Sequence, residues 1–472
     1  MSTTIFITLI VYKCVLLAVG LWAQHLNKDQ EDYFLGGRQL GPVVAAISYG
    51  SSSASAWTLL GMSGLAYTIG LTAVWVAAGA IAGAAIAWFW IAPRLMEVTA
   101  RKGHITVVDF MADGASKNDV SRIKVIATLI ILFCFIIYMS SQFQGAGNVF
   151  ESTFAMSSSG SILLGGTIIL IYTLLGGFWA VSLTDTIQGI LMLFAAILLP
   201  VMSWIAIGGA EGFQAILALP PSEDWLSFTG SNAGWMALGT IAGSIAVGLG
   251  TFGQPHLLNR FMALKSKKAL RQASVLSVFW FALVFGGMCM LGLAGRTLLP
   301  ELDNPETLFF ALTSDLLPGV TGAIVVAAVL SAIMSTVDSM LLVAAACVVH
   351  DLGAGRFIKN KPLLMSRITM TVLATAAVML AISLPSSIFD RVIFAWNMIG
   401  AAFGPVIIVS LSGRKIAKNG VVGAMLAGCL STFVFSMMPH TPGDLLQRAG
   451  PFLLATVILL IMSGKSRVAL VK

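Results

Sequence analysis

The sequence predicts an all-α polytopic membrane protein with thirteen transmembrane helices. Three observations carry that expectation. Of the 472 residues, 58% are hydrophobic and only 10% are charged, whereas soluble domains carry roughly 25% charged residues. Apolar runs of about 18 or more residues recur from end to end, each long enough to cross a hydrocarbon core of roughly 30 Å. The runs also lack the alternation of porin strands, so the spans are helices, which satisfy their own backbone polar groups.

In chain order the spans fall at approximately 4–24, 41–67, 73–93, 123–143, 158–177, 186–208, 235–255, 272–295, 319–349, 366–384, 392–412, 420–438 and 447–464. The first lacks a basic flank and a small-residue cleavage site, and reads as a retained span. The longest outside stretch, 209–234, is expected to hold a short interfacial helix broken at Pro220 and Pro221. No loop is long enough for a further domain, so residues 1–472 are expected to form a single membrane domain.

The net charge of +7 is explained by topology. With the N-terminus outside, the segments 25–40, 94–124, 178–185, 256–271, 350–367, 413–419 and the C-terminal tail are cytoplasmic. They hold 23 of the 27 Lys and Arg, against three outside (Arg296, Arg391, Arg448), while Lys13 lies within the first span and is expected to snorkel. That asymmetry is a positive-inside signal, and the basic residues face anionic lipid headgroups, not nucleic acid. The partner implied by these charges is the bilayer, with no obligatory protein partner evident; a small-molecule substrate is implied by the interrupted spans described below.

The cysteines (Cys14, Cys134, Cys289, Cys347, Cys429) fall inside apolar runs, which argues against a disulfide framework or a CxxC metal site. The histidines (His25, His104, His256, His350, His440) read as span ends or loops without metal-ligand spacing. No nucleophile–base pair or metal set appears, so the chain does not read as an enzyme.

Two spans interrupt the smooth hydrophobicity. Span two packs Ser48, Ser51, Ser52, Ser53 and Ser55 around Gly50 and Ala54; span seven carries Gly243, Gly248, Gly250 and Gly253 before Gln254-Pro255. Glycine costs about 1 kcal/mol per helical residue and proline about 3, and serine competes for backbone partners. Such segments also make close helix-packing surfaces. They lie five spans apart, however, and an odd offset inverts their membrane orientation. Paired interruptions of this kind point to an inverted-repeat transporter with its site at mid-membrane. The repeats are residues 41–208 and 235–412, with a peripheral helix at 4–24 before them and two more at 420–464. GLGTFG in span seven matches GxGxxG literally, but no strand precedes it and it lies at lipid depth, so it is a chance match.

Two acids stand at membrane depth, Asp185 at the start of span six and Asp338 within span nine. Asp185 has a structural alternative as a helix-start residue. Around Asp338, residues Ala332, Ser335, Thr336 and Ser339 share one helix face at about 100° per residue. Three hydroxyls beside a carboxylate suit a hard cation, with backbone carbonyls of an unwound partner supplying further oxygens. A proton relay would use a similar carboxylate, and the hydroxyls could instead bond their own helix.

The chain resembles the sodium/solute symporter family, and within it the sodium/proline branch. The resemblance rests on DYFLGGRQLGP at 32–42, VFESTF at 149–154, GGFWAVSLTDTIQ at 176–188, FGQPHLLNRFMA at 252–263, AIMSTVDS at 332–339 and FAWNMIGAAFGP at 394–405. It implies a LeuT-type 5+5 inverted-repeat core and alternating access, with sodium as the coupling ion. It further implies a main sodium site at Ser51, Ala54, Ala332, Ser335 and Thr336. For some members it implies a second sodium near Asp185, with Asp338 and Ser339. The substrate pocket it implies is lined by Ser53, Ser55, Ala56, Trp57, Tyr138, Gln142, Val247, Thr251, Gln254 and Pro255.

Within that pocket, Ser53 replaces an aspartate of the proline branch, and Val247 and Thr251 replace a tryptophan and a tyrosine. Losing aromatic walls should enlarge the pocket, while Gln142 and Gln144 add amide groups. The expected function is sodium-coupled import of a small organic solute, proline or a related amino acid, across the cell membrane. The alternatives are another small carboxylate as cargo, or a transporter-like sensor, the latter disfavoured because the chain ends about eight residues after the last span.

Overall fold

The computed structural model describes residues 2–23, 25, 30–154, 156–174, 177–218, 222–356, 361–384, 387–414 and 416–463. Its helices run, in order, α1 (Ser2–Ala23), α2 (Gln30–Leu35), α3 (Pro42–Ser53), α4 (Met62–Ile69), α5 (Val74–Ile86), α6 (Ala92–Lys102) and α7 (Val107–Ala112). There follow α8 (Lys117–Phe154), α9 (Ser158–Thr173), α10 (Phe178–Ala206), α11 (Gly209–Ala218), α12 (Gly234–Ile245), α13 (Pro255–Met262) and α14 (Lys267–Leu298). The remainder are α15 (Leu308–Leu316), α16 (Gly319–Ala346), α17 (Pro362–Ser383), α18 (Ile388–Leu411), α19 (Lys418–Ser436) and α20 (Leu445–Met462).

Among the described residues, 11 helical stretches are long and apolar enough to cross a membrane. The difference from thirteen has two sources. Span two is split: α3 stops at Ser53, and a π-turn, Trp57–Gly61, starts the chain again toward α4. That second half counts with span three as a single stretch, Trp57–Lys102, although Gly70 at φ +59 turns the chain between them. Span five is α9, whose apolar part, Ser158–Ile171, is shorter than the others.

Burial orders the helices. In α16 and α18, 83% and 89% of the most apolar window is inside the protein, against 22% in α1. The two most enclosed helices therefore carry the polar residues that lipid would not tolerate, and α1 is peripheral. In the 209–234 segment, Trp225 is buried and its indole donates to the Tyr67 carbonyl at 3.2 Å. The helix in that segment is α11; Pro220 and Pro221 lie outside the described residues.

Two sequence expectations need correction. Residues 256–271 do not form a cytoplasmic loop throughout, because Pro255–Met262 is a helix with every residue buried. His256 and Arg260 are therefore core residues, and Arg260 drops out of the topological charge count. Proline explains the abrupt restart: it lacks the N–H that a first helical residue leaves unsatisfied anyway. Lys13 does not snorkel either; its ammonium contacts Met334 Sδ of α16.

The glycines of span seven are also a packing surface. A Cβ on Gly248 would lie 2.3 Å from the Gly79 carbonyl oxygen of α5, and a Cβ on Gly250 would lie 2.0 Å from Cδ1 of Trp396 on α18. The Trp396 indole in turn donates to the Val247 carbonyl at 3.0 Å. GLGTFG is thus a helix-contact motif in a 3₁₀ segment, Ala246–Gly253. Gly250→Ala is expected to destabilise the fold by about 1–3 kcal/mol through overpacking, seen as a lowered melting temperature in detergent. Wild-type stability would show that Trp396 can move aside.

Candidate functional site

Where α3 ends, its last carbonyls lose their helical partners. Ala54 leaves helical geometry, with φ −88 and ψ 69. Unpaired carbonyls at membrane depth are costly, and three side chains take them up. Ser335 Oγ donates to the Ser51 carbonyl at 2.9 Å, Thr336 Oγ1 to the Ser52 carbonyl at 3.0 Å, and the Trp57 indole to the Ser53 carbonyl at 3.2 Å. Ser335 and Thr336 also reach the Ala332 carbonyl, at 3.1 and 3.0 Å. The face of α16 that the spacing singled out is therefore fastened across the break in span two. Ala54 marks the break itself. These carbonyl and hydroxyl oxygens, all buried, are hard neutral donors of the type a sodium ion takes.

Beside the break, Ser55 Oγ and Tyr138 OH are 3.2 Å apart, and the freed Ala56 N–H donates to Gln142 Oε1 at 3.0 Å. Gln142 Nε2 donates to Ser141 Oγ at 3.1 Å. Across from them, Gln254 at the span-seven break donates to the Gly250 and Trp396 carbonyls at 3.1 and 3.0 Å, and its Oε1 has no hydrogen-bond partner among the described residues. Val247, Thr251 and Pro255 are buried on the same interrupted span. Trp57 packs against Phe285 and Phe389, and Tyr138 against Trp396 and His256. Every residue expected to line the pocket is buried, so this conformation is closed at the site. Gln142→Ala leaves the Ala56 N–H unpaired, which costs about 1–3 kcal/mol; we expect solute affinity to fall by about fivefold or more, read from half-saturation of uptake. An unchanged value would remove Gln142 from the site.

The residues expected around a second cation divide into two groups. Asp185 Oδ2 accepts from Ser48 Oγ at 2.8 Å, Ser52 Oγ at 3.1 Å and Ser339 Oγ at 3.4 Å. The same oxygen pairs with Arg260 Nη2 at 2.8 Å, with both side chains essentially inaccessible. Asp185 is thus a paired core residue, not a helix-start cap. Asp338 points elsewhere, accepting from Thr173 Oγ1 at the end of α9. Sequence reasoning missed Arg260, which reads as one more basic residue of a cytoplasmic loop. It also passed over Trp396 and Asn397, both inside the quoted FAWNMIGAAFGP motif and both buried.

The ends of the site helices are tied together by a polar cluster. Lys124 of α8 pairs with Asp109 of α7 at 2.5 Å and with Asp351, at the end of the α16 span, at 3.3 Å. His350 Nε2 lies 2.9 Å from Asp109 Oδ2. Burial raises the Asp109 carboxyl, but the hydrogen bonds from His350 and Lys124 outweigh it and hold the group well below the usual carboxylate range. Arg38 makes a similar tie, bonding Glu31, the Met262 carbonyl and the His104 carbonyl at 2.8, 3.0 and 2.7 Å. Its neighbours Gly36 and Gly37 both have positive φ, which explains the GGR of DYFLGGRQLGP.

The model of the sodium:solute symporter family matches residues 33–428, which spans both breaks and the whole of α16 and α18. The chain belongs to the sodium:solute symporter family. Among its curated relatives, the "Sodium/proline symporter 2" of Staphylococcus saprophyticus is 34% identical over 91% of this symporter and 85% of the relative. The "Sodium/proline symporter" of Staphylococcus aureus is 33% identical over the same shares. Among solved structures, a substrate-bound, outward-open Na⁺-coupled sialic acid symporter aligns with TM-score 0.80 at 17% identity, covering 98% of this chain and 99% of that one. The amino-acid complex of MhsT with L-phenylalanine aligns with TM-score 0.55 at 14% identity, over 90% and 98%. The symporter therefore has the LeuT-type fold. It is a multi-pass, sodium-coupled solute transporter and not an enzyme.

Proposed function

We propose that this symporter imports proline or a closely related small amino acid, using sodium bound at the junction of α3 and α16. The observation that carries the reading is the pairing of Ser335 and Thr336 with the Ser51 and Ser52 carbonyls. Ser51, Ala54, Ala332, Ser335 and Thr336 hold the ion, and its presence fixes the shape of the break. Solute then binds among Ser53, Ser55, Ala56, Trp57, Tyr138, Gln142, Val247, Thr251, Gln254 and Pro255. Its carboxylate takes N–H groups freed where the helices are interrupted, at the positive ends of half-helices. The relatives named as proline symporters support the cargo, and the amides of Gln142 and Gln254 supply polar contacts for an amino acid.

The topology belongs to the same proposal. Thirteen spans, the N-terminus outside and the C-terminus in the cytoplasm of a cell membrane accord with the clustering of Lys and Arg in alternate loops. Residues 41–208 and 235–412 then form the inverted repeats, each opening on its interrupted span. Sodium entering down its gradient drives the cycle, with about 2.3 kcal/mol per charge from a potential of 100 mV.

The test is uptake of labelled proline into proteoliposomes under an inward sodium gradient, against an equal potassium gradient. Uptake with sodium only, competed by unlabelled proline, is expected. Sodium-driven uptake competed instead by another amino acid would change the cargo, and equal uptake in potassium would reject the coupling ion.

A further inference from the structure

His256 is the second residue of α13, directly after Pro255, and is fully buried. Neither of its ring nitrogens has a hydrogen-bond partner among the described residues. The ring lies beside the Ser52 carbonyl at the break in span two, but that oxygen accepts from Thr336 Oγ1 at 3.0 Å. Buried polar atoms are nearly always paired, and one left bare is costly. An apolar side chain would fill the same space without that cost. The imidazole therefore calls for a partner that the chain itself does not supply.

Its surroundings point to the partner. The ring stands edge-on to Phe135 and Tyr138, with centroids 5.6 and 6.4 Å away. Tyr138 is the residue whose hydroxyl lies 3.2 Å from Ser55 Oγ, and its ring also stands edge-on to Trp396. On the other side of Pro255, Gln254 has its Nε2 committed to the Gly250 and Trp396 carbonyls, while its Oε1 has no partner among the described residues. Two bare polar groups thus flank one proline at the span-seven break. Arg260, four residues on, shares the helix face of His256, so the neutral imidazole is the form that fits there. A neutral imidazole brings one acceptor and one donor, and Gln254 Oε1 is an acceptor. The N–H groups freed at the breaks suit a carboxylate; the amine hydrogens of an amino acid need acceptors such as these.

We propose that His256 is a solute-binding residue, whose unprotonated ring nitrogen, together with Gln254 Oε1, accepts hydrogen bonds from the amino group of the bound solute. Phe135 and Tyr138 hold the ring in place for that contact. The inference rests on the reading that an amino acid binds in this pocket.

The test is equilibrium binding of labelled proline, in sodium, to the purified full chain and to its His256→Phe, His256→Asn and His256→Gln variants. His256→Phe keeps a ring between Phe135 and Tyr138 and removes both nitrogens. Its proline affinity should fall about tenfold, the size of one lost hydrogen bond, while its melting temperature stays close to that of the wild type. One amide variant should recover affinity to within about threefold, Asn if Nδ1 is the nitrogen in use and Gln if it is Nε2. Unchanged affinity in His256→Phe, the result a resident water would give, would overturn the inference while leaving the pocket intact. A loss that neither amide variant recovers would overturn it as well. Should His256→Phe fail to fold, the amide variants decide: affinities about fivefold or more apart support the contact, and equal affinities reject it. No saturable proline binding by the wild type would overturn the proposed cargo, and this inference with it.

Discussion

Replacing Ser335 or Thr336 with alanine is expected to raise the sodium concentration for half-maximal uptake by about tenfold each. Both hydroxyls are buried and each does two things. In the proposed sodium complex they are ion ligands; in the closed structure they satisfy the Ser51 and Ser52 carbonyls. Alanine removes the ligand and leaves a carbonyl without its partner. The second effect costs about 1–3 kcal/mol, but it bears on the protein before sodium binds as well, so part of it cancels in the sodium affinity. What remains is the lost ion contact, and about 1.4 kcal/mol corresponds to a factor of ten. Serine at 336 should behave nearly as wild type, because it keeps the oxygen. The check is the sodium dependence of initial uptake rates; unchanged half-saturation in both alanine variants would move the sodium site elsewhere.

Arg260→Met has the largest expected effect on the protein as a whole. Arg260 joins α13 to α3, α10 and α16 through Ser48, Asp185 and Ser339. Removing it strands the Asp185 carboxylate, whose relative accessibility is 0%, among hydroxyls alone. Breaking one side of a buried ion pair costs about 3–5 kcal/mol. The variant should therefore be recovered in reduced amounts and melt at lower temperature. Combining it with Asp185→Asn should restore part of that stability, since the uncompensated charge is then gone. Equal stability of wild type and Arg260→Met would mean that the pair is not maintained in the protein in a membrane.

The membrane spans were legible because lipid leaves the chain so few choices: a long apolar run has to be a helix. The breaks were legible for a related reason, since Ser51–Ser55 and the glycines before Pro255 weaken a helix where nothing in lipid compensates. On α16 the spacing of Ala332, Ser335 and Thr336 identified the face that meets the break, because a regular helix converts sequence interval directly into direction. What failed was reading charge without its partner. Arg260 looks like a loop residue until Asp185, 75 residues away in sequence, is seen beside it. Lys13 looks like a snorkelling lysine until α16 is placed against α1. The glycines of span seven admitted a break or a packing surface as alternatives, and the structure uses them for both. Glycine permits the irregular backbone and also the close approach of Trp396.

Sodium, in the proposed mechanism, organises the interrupted part of span two. Hydrogen–deuterium exchange of the amides at 54–57, compared in sodium and in potassium, addresses it most directly. Slower exchange of this segment is expected in sodium, with the difference abolished in the Ser335→Ala, Thr336→Ala double variant. Identical exchange in the two salts would contradict it.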